Sequence, residues 1–212
     1  MTSTLQRRLF SSPSGSSMEI SVYTEGPYAG HGATLQPLFD ADTVLCLVGG
    51  IGITHVLGFV QDYKSANLQR GEGSGKSGIM KKATRFILAW SAREMALIEH
   101  VKQNFLVQKD DVEGIEYSFW CTGASNTAVQ KLDSINDESQ KAERSTPRTT
   151  VAAVTAGRMD IGTVIRSSLE EGHQTTVLVC GPSNMADEAT KQVVNCVKDG
   201  FRVDVVEEAY AW

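Results

Sequence analysis

The stretch TVLCLVGGIGIT, residues 43–54, decides the fold of this chain. Its apolar run does not alternate with polar residues, which indicates a strand buried on both faces, as in parallel sheets. The run ends at glycines, and apolar residues then recur at helical spacing over residues 56–63. A strand that turns through glycines into a helix can hold a phosphate against backbone N–H groups. Because His55 replaces the last glycine of G-x-G-x-x-G, an ordinary strand–helix turn is the alternative.

Strands and helical patterns alternate from this stretch to the C-terminus, with connections long enough for the crossovers that parallel strands need. We therefore predict an α/β fold with a doubly wound, mostly parallel, Rossmann-like sheet of about five strands. Its ligand is expected beyond the carboxyl ends of the strands. The predicted strands span residues 43–48, 85–90, 116–121, 175–180 and 201–206, with a short candidate at 149–154 and a half-buried strand at 19–23.

Capping and spacing predict the helices. Ser91 and Glu94 have the S-x-x-E spacing of a capping box, which predicts that a helix begins there. Residues 163–169 are also predicted to be helical. The predicted apolar faces consist of Leu97, Ile98, Val101 and Phe105 in the capped helix and of Met185, Ala189, Val193 and Val197 in the last helix.

Composition excludes several classes of protein. The 212 residues include 20 Lys and Arg against 25 Asp and Glu, and this net charge of −5 argues against a nucleic-acid partner. No window of about 18 apolar residues occurs, so we expect a soluble chain that does not itself insert into a membrane. The four cysteines form no CxxC pair and the four histidines no HxxxH pattern, so neither a disulfide framework nor a metal site is expected.

Two polar stretches interrupt the alternation, residues 68–82 and 123–148, and both are predicted to be loop insertions. The first contains GEGSGKS, which imitates a phosphate-binding P-loop. Arg70 stands where that motif needs its first glycine, so we predict a loop and not a P-loop.

Two further motifs follow predicted strands. In VLVCGPSNM, residues 177–185, Cys180 stands at the carboxyl end of a buried strand, where ligands bind; a buried structural cysteine is the alternative. In WSARE, residues 90–94, an arginine follows the strand whose end reads the adenosine ribose in dinucleotide folds. Arginine there favours the 2′-phosphate of NADPH over NADH, and a solvated helix residue is the alternative reading of Arg93.

Six pieces in order give the chain a family resemblance. They are EGPYAG at residues 25–30, LVGGIGITHVL at 47–57, WSARE at 90–94, GRMD at 157–160, LVCGPSNM at 178–185 and EEAYAW at 207–212. Together they resemble the NAD(P)H-binding domain of the ferredoxin–NADP⁺ reductase superfamily. The resemblance is strongest to the ferric reductase and NADPH oxidase branch, particularly the fungal ferric-chelate reductases.

The resemblance implies residue roles. Cys180 would lie beside C4 of the nicotinamide, and Arg93 and Arg158 would face the adenosine phosphates. Near the C-terminus of the family an acid and an aromatic ring adjoin the flavin; Glu208 and Tyr210 match this pattern, with Trp212 as the alternative ring. The implied cofactor-binding residues are Gly49, Gly50, Gly52, Ile53, Thr54, Trp90, Ser91, Arg93, Arg158, Cys180, Gly181 and Pro182.

The resemblance also implies a longer parent protein. Residues 31–212 would form the NAD(P)H-binding domain, and residues 1–30 a flexible lead-in with a hinge strand from a missing flavin domain. The partners would be this flavin domain and a haem-binding membrane domain, at the cytosolic face of the plasma membrane. FAD and haem would belong to the parent alone, so this fragment of an oxidoreductase is expected to be inactive by itself.

The implied function is electron input to a membrane ferric-chelate reductase, from NADPH through FAD and haem to Fe(III). The same module in a superoxide-producing NADPH oxidase is one alternative, and a non-catalytic nucleotide-sensing domain is another. The pair His55–Val56 and the terminal Trp212 resemble the ferric reductases. Cys180 and the C-terminal aromatic residues favour an enzyme over a sensor.

Overall fold

The computed structural model describes residues 35–68, 78–106, 112–123 and 149–207, with backbone only at 68 and 149–152. It contains one six-stranded sheet, five α-helices, a 3₁₀ turn at Gly50–Gly52 and a π-helical turn at Lys102–Leu106. The strands are β1 (Thr43–Gly49), β2 (Arg85–Ala92), β3 (Ile115–Cys121), β4 (Thr149–Ala156), β5 (Gln174–Cys180) and β6 (Arg202–Glu207). The helices are α1 (Gln36–Asp40), α2 (Ile53–Leu68), α3 (Met95–Val101), α4 (Ile161–Ser168) and α5 (Ser183–Lys198).

The strand order is β4-β3-β2-β1-β5-β6, and every neighbouring pair is parallel. This confirms the Rossmann-like α/β prediction, with six strands in place of about five. The additional strand is β4, whose eight residues pair with β3 alone at the sheet edge. The chain runs outward from β1 to β4 and then returns to the other side of β1, so the order reverses between β1 and β5. Ligands bind in the crevice at such a switch point.

Side chains of each central strand alternate between the two faces of the sheet, and both faces are buried. Val44, Cys46 and Val48 of β1 lie in the core beneath α2 and α3. Leu45 and Leu47 lie in the second core, beneath α4 and α5. Helices on both faces explain why the strands read as continuous apolar runs, and they make the sheet doubly wound.

The predicted capping box is wrong. β2 continues through Ser91 and Ala92, which pair with β3, so Ser91 belongs to the strand. α3 begins at Met95 with Glu94 as its N-cap, and no side-chain hydrogen bond caps it. Because Ser91 and Ala92 extend the strand, the helix begins later in the chain than the capping-box spacing predicts.

The predicted apolar faces of two helices are wrong in part. Leu97 and Phe105 are 41% and 43% exposed, because α3 is only seven residues long and passes into a π-helical turn. In α5, Val197 is 51% exposed and Cys196 is buried in its place. A spacing of four residues drifts about 40° per step around a helix of 3.6 residues per turn, so the fourth position leaves the buried face.

Some predictions fall outside the described residues. These are the lead-in and hinge strand at residues 1–30, which include the strand at 19–23, most of the two insertions, and the residues after 207. Within the described ranges no helix is both long and apolar enough to cross a membrane, and no cluster of three metal-ligating side chains occurs.

Candidate functional site

A cleft of about 470 Å³ lies at the carboxyl ends of the strands. The turns after five strands contribute to it, as the switch-point rule requires. Backbone glycines, two guanidinium groups, hydroxyls and apolar side chains face it together. Its lining consists of Gly49, Gly50, Ser91, Ala92, Arg93, Thr122, Arg158, Met159, Ile161, Pro182, Asn184, Met185 and Glu188.

The glycine turn between β1 and α2 uses its glycines in different ways. Gly50 has φ +53, a left-handed conformation that glycine adopts without strain, and a Cβ there would meet nothing within 4 Å. A Cβ on Gly52 would lie 2.3 Å from the carbonyl oxygen of Cys180. Gly52 is therefore glycine because α2 begins directly against the end of β5, and a larger residue at position 52 would force one of these two backbones to move.

Close packing also joins the two turns at the switch point. A Cβ on Gly49 would lie 2.8 Å from Cδ of Pro182, and one on Gly181 would lie 2.8 Å from Sδ of Met185. The thioether of Met185 therefore packs where two glycine backbones leave room for it. These contacts hold the turn after β5 against the glycine turn, and together the two turns form one wall of the cleft.

Trp90 reaches the glycine turn from inside the core. Its side chain is fully buried, and its indole Nε1 donates a hydrogen bond of 2.9 Å to the carbonyl oxygen of Gly50. The ring packs edge-on against Phe119, with centroids 6.5 Å apart. Trp90 contacts the turn from the core side and is not part of the cleft lining, and its direct contact with a cofactor stays a prediction.

Arg93 and Arg158 line the same cleft, although 65 positions separate them in the sequence. Arg93 follows β2, Arg158 follows β4, and both are exposed. Neither forms an ion pair with any other described residue, so the two guanidinium groups are available for an anion. Ser91 and Thr122 add two hydroxyl groups to the same lining, and this donor set suits phosphate oxygens.

One premise of the cofactor prediction needs correction. The sequence suggested that the Glu94 carboxylate caps a helix, but the structure gives its side chain no capping bond. An acid after the second strand can read a ribose hydroxyl in NAD. Arg93 lines the cleft and Glu94 does not. The preference for a 2′-phosphate therefore rests on the presence of Arg93 in the lining, and no longer on a capping role for Glu94.

Cys180 ends β5, as predicted, and its side chain is fully buried. It lies in the core on the α2 side and not on the cleft wall. Burial raises the pKa of the neighbouring Cys46 thiol well above its usual value, with a smaller contribution from Cys180. The contact between Cys180 and nicotinamide stays a prediction.

The segment that carries Arg158 is anchored at the start of α4. Asp160 caps this helix, accepting from the Thr163 backbone N–H at 3.0 Å and from the Thr163 hydroxyl at 3.0 Å. These hydrogen bonds to the charged form lower the pKa of Asp160. The cap therefore fixes the short turn between β4 and α4 from which Arg158 projects.

The structure brings together six of the predicted binding residues. Gly52, Ile53, Thr54, Trp90, Cys180 and Gly181 are not part of the cleft lining, and Glu208, Tyr210 and Trp212 lie outside the described residues. Sequence reasoning missed seven lining residues, which are Ala92, Thr122, Met159, Ile161, Asn184, Met185 and Glu188. Their signal was available, because each stands within two turns of a strand's carboxyl end. The six brought together are Gly49, Gly50, Ser91, Arg93, Arg158 and Pro182.

A second cleft, of about 450 Å³, lies at the amino ends of the strands. Four of its charged or titratable side chains, Arg85, Glu116, Glu170 and His173, pair with one another. Arg85 pairs with Glu116 at 2.6 Å and with Glu170 at 3.2 Å, and Glu170 also contacts His173 at 2.9 Å. An anionic ligand would have to displace these carboxylates, so we favour the cleft at the carboxyl ends.

Comparison with known proteins gives one match. The sequence profile of the ferric reductase NAD binding domain matches residues 41–194, from just before β1 into the second half of α5. This range contains every described turn that lines the carboxyl-end cleft. No curated protein matches the chain.

Proposed function

Since the chain belongs to the family of ferric reductase NAD binding domains, we propose that it is the NADPH-binding module of a membrane ferric-chelate reductase. The family establishes an oxidoreductase domain that binds a nicotinamide dinucleotide. The choice of NADPH, the electron acceptor and the membrane setting are the proposed part.

The observation that carries the proposal is the pair of arginines in the cleft. A dinucleotide carries a pyrophosphate, and NADPH adds a 2′-phosphate on the adenosine ribose. Gly50 opens the turn before α2, and Arg93 and Arg158 face the same space without ion-pair partners among the described residues. NADPH presents three phosphate groups and NADH two, so a cleft with two exposed guanidinium groups fits NADPH better.

The residues of this chain bind and orient the dinucleotide. NADPH, when bound, supplies a hydride, and a flavin outside this chain would accept it. The apolar side chains of Met159, Ile161 and Met185 give the cleft a surface for a planar ring. We propose that Cys180 limits the depth to which the nicotinamide can enter beside the glycine turn, and that Glu208 with Tyr210 or Trp212 adjoins the flavin.

The proposed partners are a flavin domain and a haem-bearing membrane domain of a longer protein, with this module at the cytosolic face. Support comes from the family and from the resemblance of EGPYAG to the hinge strand after a flavin domain. Ferric chelate is the proposed acceptor because His55–Val56 and Trp212 resemble the ferric reductases and not the oxidases.

Calorimetric titration of the 212-residue chain with NADPH and NADH tests the binding function. We expect saturable binding of both, with tighter binding of NADPH. Absence of binding by either dinucleotide in a folded chain would contradict the proposal. Tighter binding of NADH would contradict the cofactor choice alone.

The acceptor is tested in membranes from cells that express the full-length parent gene. Fe(II) formation from a ferric chelate, read with a colorimetric Fe(II) ligand, should depend on NADPH and persist without oxygen. NADPH-dependent reduction of cytochrome c that superoxide dismutase abolishes, with no Fe(II) formation under anaerobic conditions, would identify an oxidase.

A further inference from the structure

We propose that Trp90 is a positioning residue for the glycine turn. Its buried indole orients the peptide between Gly50 and Ile51, so that the turn presents an N–H to the pyrophosphate. This inference rests on the proposed function, because it names a determinant of dinucleotide binding at the same cleft.

The first observation is the hydrogen bond from the Trp90 indole to the Gly50 carbonyl oxygen, 2.9 Å long and 40 positions apart in sequence. A buried indole N–H needs an acceptor, because leaving it unpaired costs desolvation energy. The indole cannot turn elsewhere, since its ring is fully buried and packs against Phe119. The rigid partner in this bond is therefore the indole, and the turn conforms to it.

The second observation is the conformation of Gly50. Its φ of +53 lies in a region that glycine enters freely, but glycine also adopts many other conformations. The sequence GGIG therefore does not by itself choose one orientation for the peptide. The hydrogen bond from the core supplies the choice.

Peptide geometry gives the consequence. A trans peptide places its C=O and the following N–H on opposite sides. Because the Gly50 oxygen points to the buried indole, the N–H of Ile51 points away from the core. A reversed peptide would place a carbonyl oxygen on the outer side, where it would repel a phosphate. Gly50 lines the cleft, so this orientation decides whether the turn attracts or repels the anion.

The test uses Trp90→Phe in the 212-residue chain, which keeps most of the buried ring and removes the N–H donor. Two ligands separate the parts of the cofactor: ADP has a pyrophosphate and no 2′-phosphate, and adenosine 2′-monophosphate has the reverse. We expect the affinity for ADP and for NADPH to fall about tenfold, the scale of one hydrogen bond with its carbonyl left unpaired. The affinity for adenosine 2′-monophosphate should not change.

Two controls separate positioning from packing. Phe119→Leu loosens the ring contact of Trp90 but leaves its N–H in place, so it should lower thermal stability and preserve the ratio of the two affinities. Trp120→Phe makes the same substitution on the adjacent strand β3, away from the Gly50 oxygen, and should preserve both affinities.

Several results would overturn the inference. Unchanged ADP affinity in folded Trp90→Phe would do so, and so would equal losses for ADP and adenosine 2′-monophosphate. If the variant does not fold, NMR can measure solvent exchange of the Trp90 indole N–H in the wild-type chain. Exchange as fast as that of the half-buried Trp120 indole would overturn the inference. Slower exchange would support it. A wild-type chain that binds neither NADPH nor NADH would contradict the proposed function itself, which the variant ratios do not test.

Discussion

Gly52 is the residue at which α2 meets the end of β5. A Cβ there would lie 2.3 Å from the Cys180 carbonyl oxygen, so one of the two backbones would have to move. Overpacking of this kind typically costs about 1–3 kcal/mol. We expect Gly52→Ala to lower the free energy of unfolding by about that amount, measured by urea unfolding with circular dichroism.

Gly58→Ala is the matched control, because Gly58 lies in α2, the helix that begins directly after Gly52, and a Cβ there would meet nothing within 4 Å. Alanine is favoured over glycine inside a helix, so this variant should gain about 0.5–1 kcal/mol. If Gly52→Ala is as stable as Gly58→Ala, the contact with Cys180 does not constrain position 52.

Arg93 is the residue proposed to select NADPH over NADH. If its guanidinium pairs with the 2′-phosphate, Arg93→Ala should weaken NADPH binding by about 1–2 kcal/mol, the low end for a charged hydrogen bond because the side chain is exposed. NADH affinity should stay the same, since NADH has no 2′-phosphate. Calorimetry with both dinucleotides measures this, and equal losses would show that Arg93 does not read the 2′-phosphate.

At the scale of elements, Asp42 joins the starts of β1 and β5. Its carboxylate accepts from the Gln174 backbone N–H at 2.9 Å and pairs with Lys82 at 3.1 Å. The Gln174 hydrogen bond, followed by Lys82, lowers the pKa of Asp42 below its ordinary value of 3.8. The folded state therefore binds this proton less readily than the unfolded state, and the resulting stabilisation is full above about pH 4 and disappears as the pH falls through the folded pKa.

Urea unfolding between neutral pH and about pH 2 measures this contribution. Asp42→Asn should be less stable than the wild type at neutral pH, and the difference should shrink toward acid. Lys82→Met should keep most of the acid dependence, because the Gln174 N–H is the larger cause. A difference between Asp42→Asn and wild type that does not vary with pH would exclude this source of stability.

The elements that could be predicted from the sequence are those whose signal is local. The buried runs of β1, β2 and β5 need only their own apolar residues to be recognised. The start of α3 could not be found in this way, because the pairing of Ser91 and Ala92 with β3 determines where β2 ends. The one-turn α1, without a capping side chain, gave no pattern of its own.

At the scale of the whole molecule, the candidate cleft could be located from the sequence because its residues follow predicted parallel strands. Arg93, Arg158 and Pro182 each follow a strand, and parallel strands bring their carboxyl ends to one edge. The sequence could not show which of these residues face the cleft and which contact its turns from the core. Gly52 and Trp90 act from behind the cleft through contacts with Cys180 and Gly50, which lie 128 and 40 positions away.

The two ends of the sheet offer a direct test of that topology. Arg158 and Arg85 line clefts of similar size at opposite ends of the strands, Arg158 at the carboxyl ends and Arg85 at the amino ends. Arg158 has no ion-pair partner in the described part of the chain, so Arg158→Ala should weaken NADPH binding about tenfold, the scale of a charged hydrogen bond at an exposed site.

Arg85→Ala is the matched control, and its effect should be on folding. Removing this side chain leaves the Glu116 and Glu170 carboxylates without their shared cation, so the free energy of unfolding should fall while NADPH affinity is preserved. Each variant removes one arginine charge, Arg158→Ala at the carboxyl ends of the strands and Arg85→Ala at their amino ends. NADPH binding that depends on Arg85 and not on Arg158 would place the dinucleotide at the amino ends of the strands. In that case neither the carboxyl-end cleft nor its glycine turn would bind the dinucleotide, and the Trp90 indole would not influence binding.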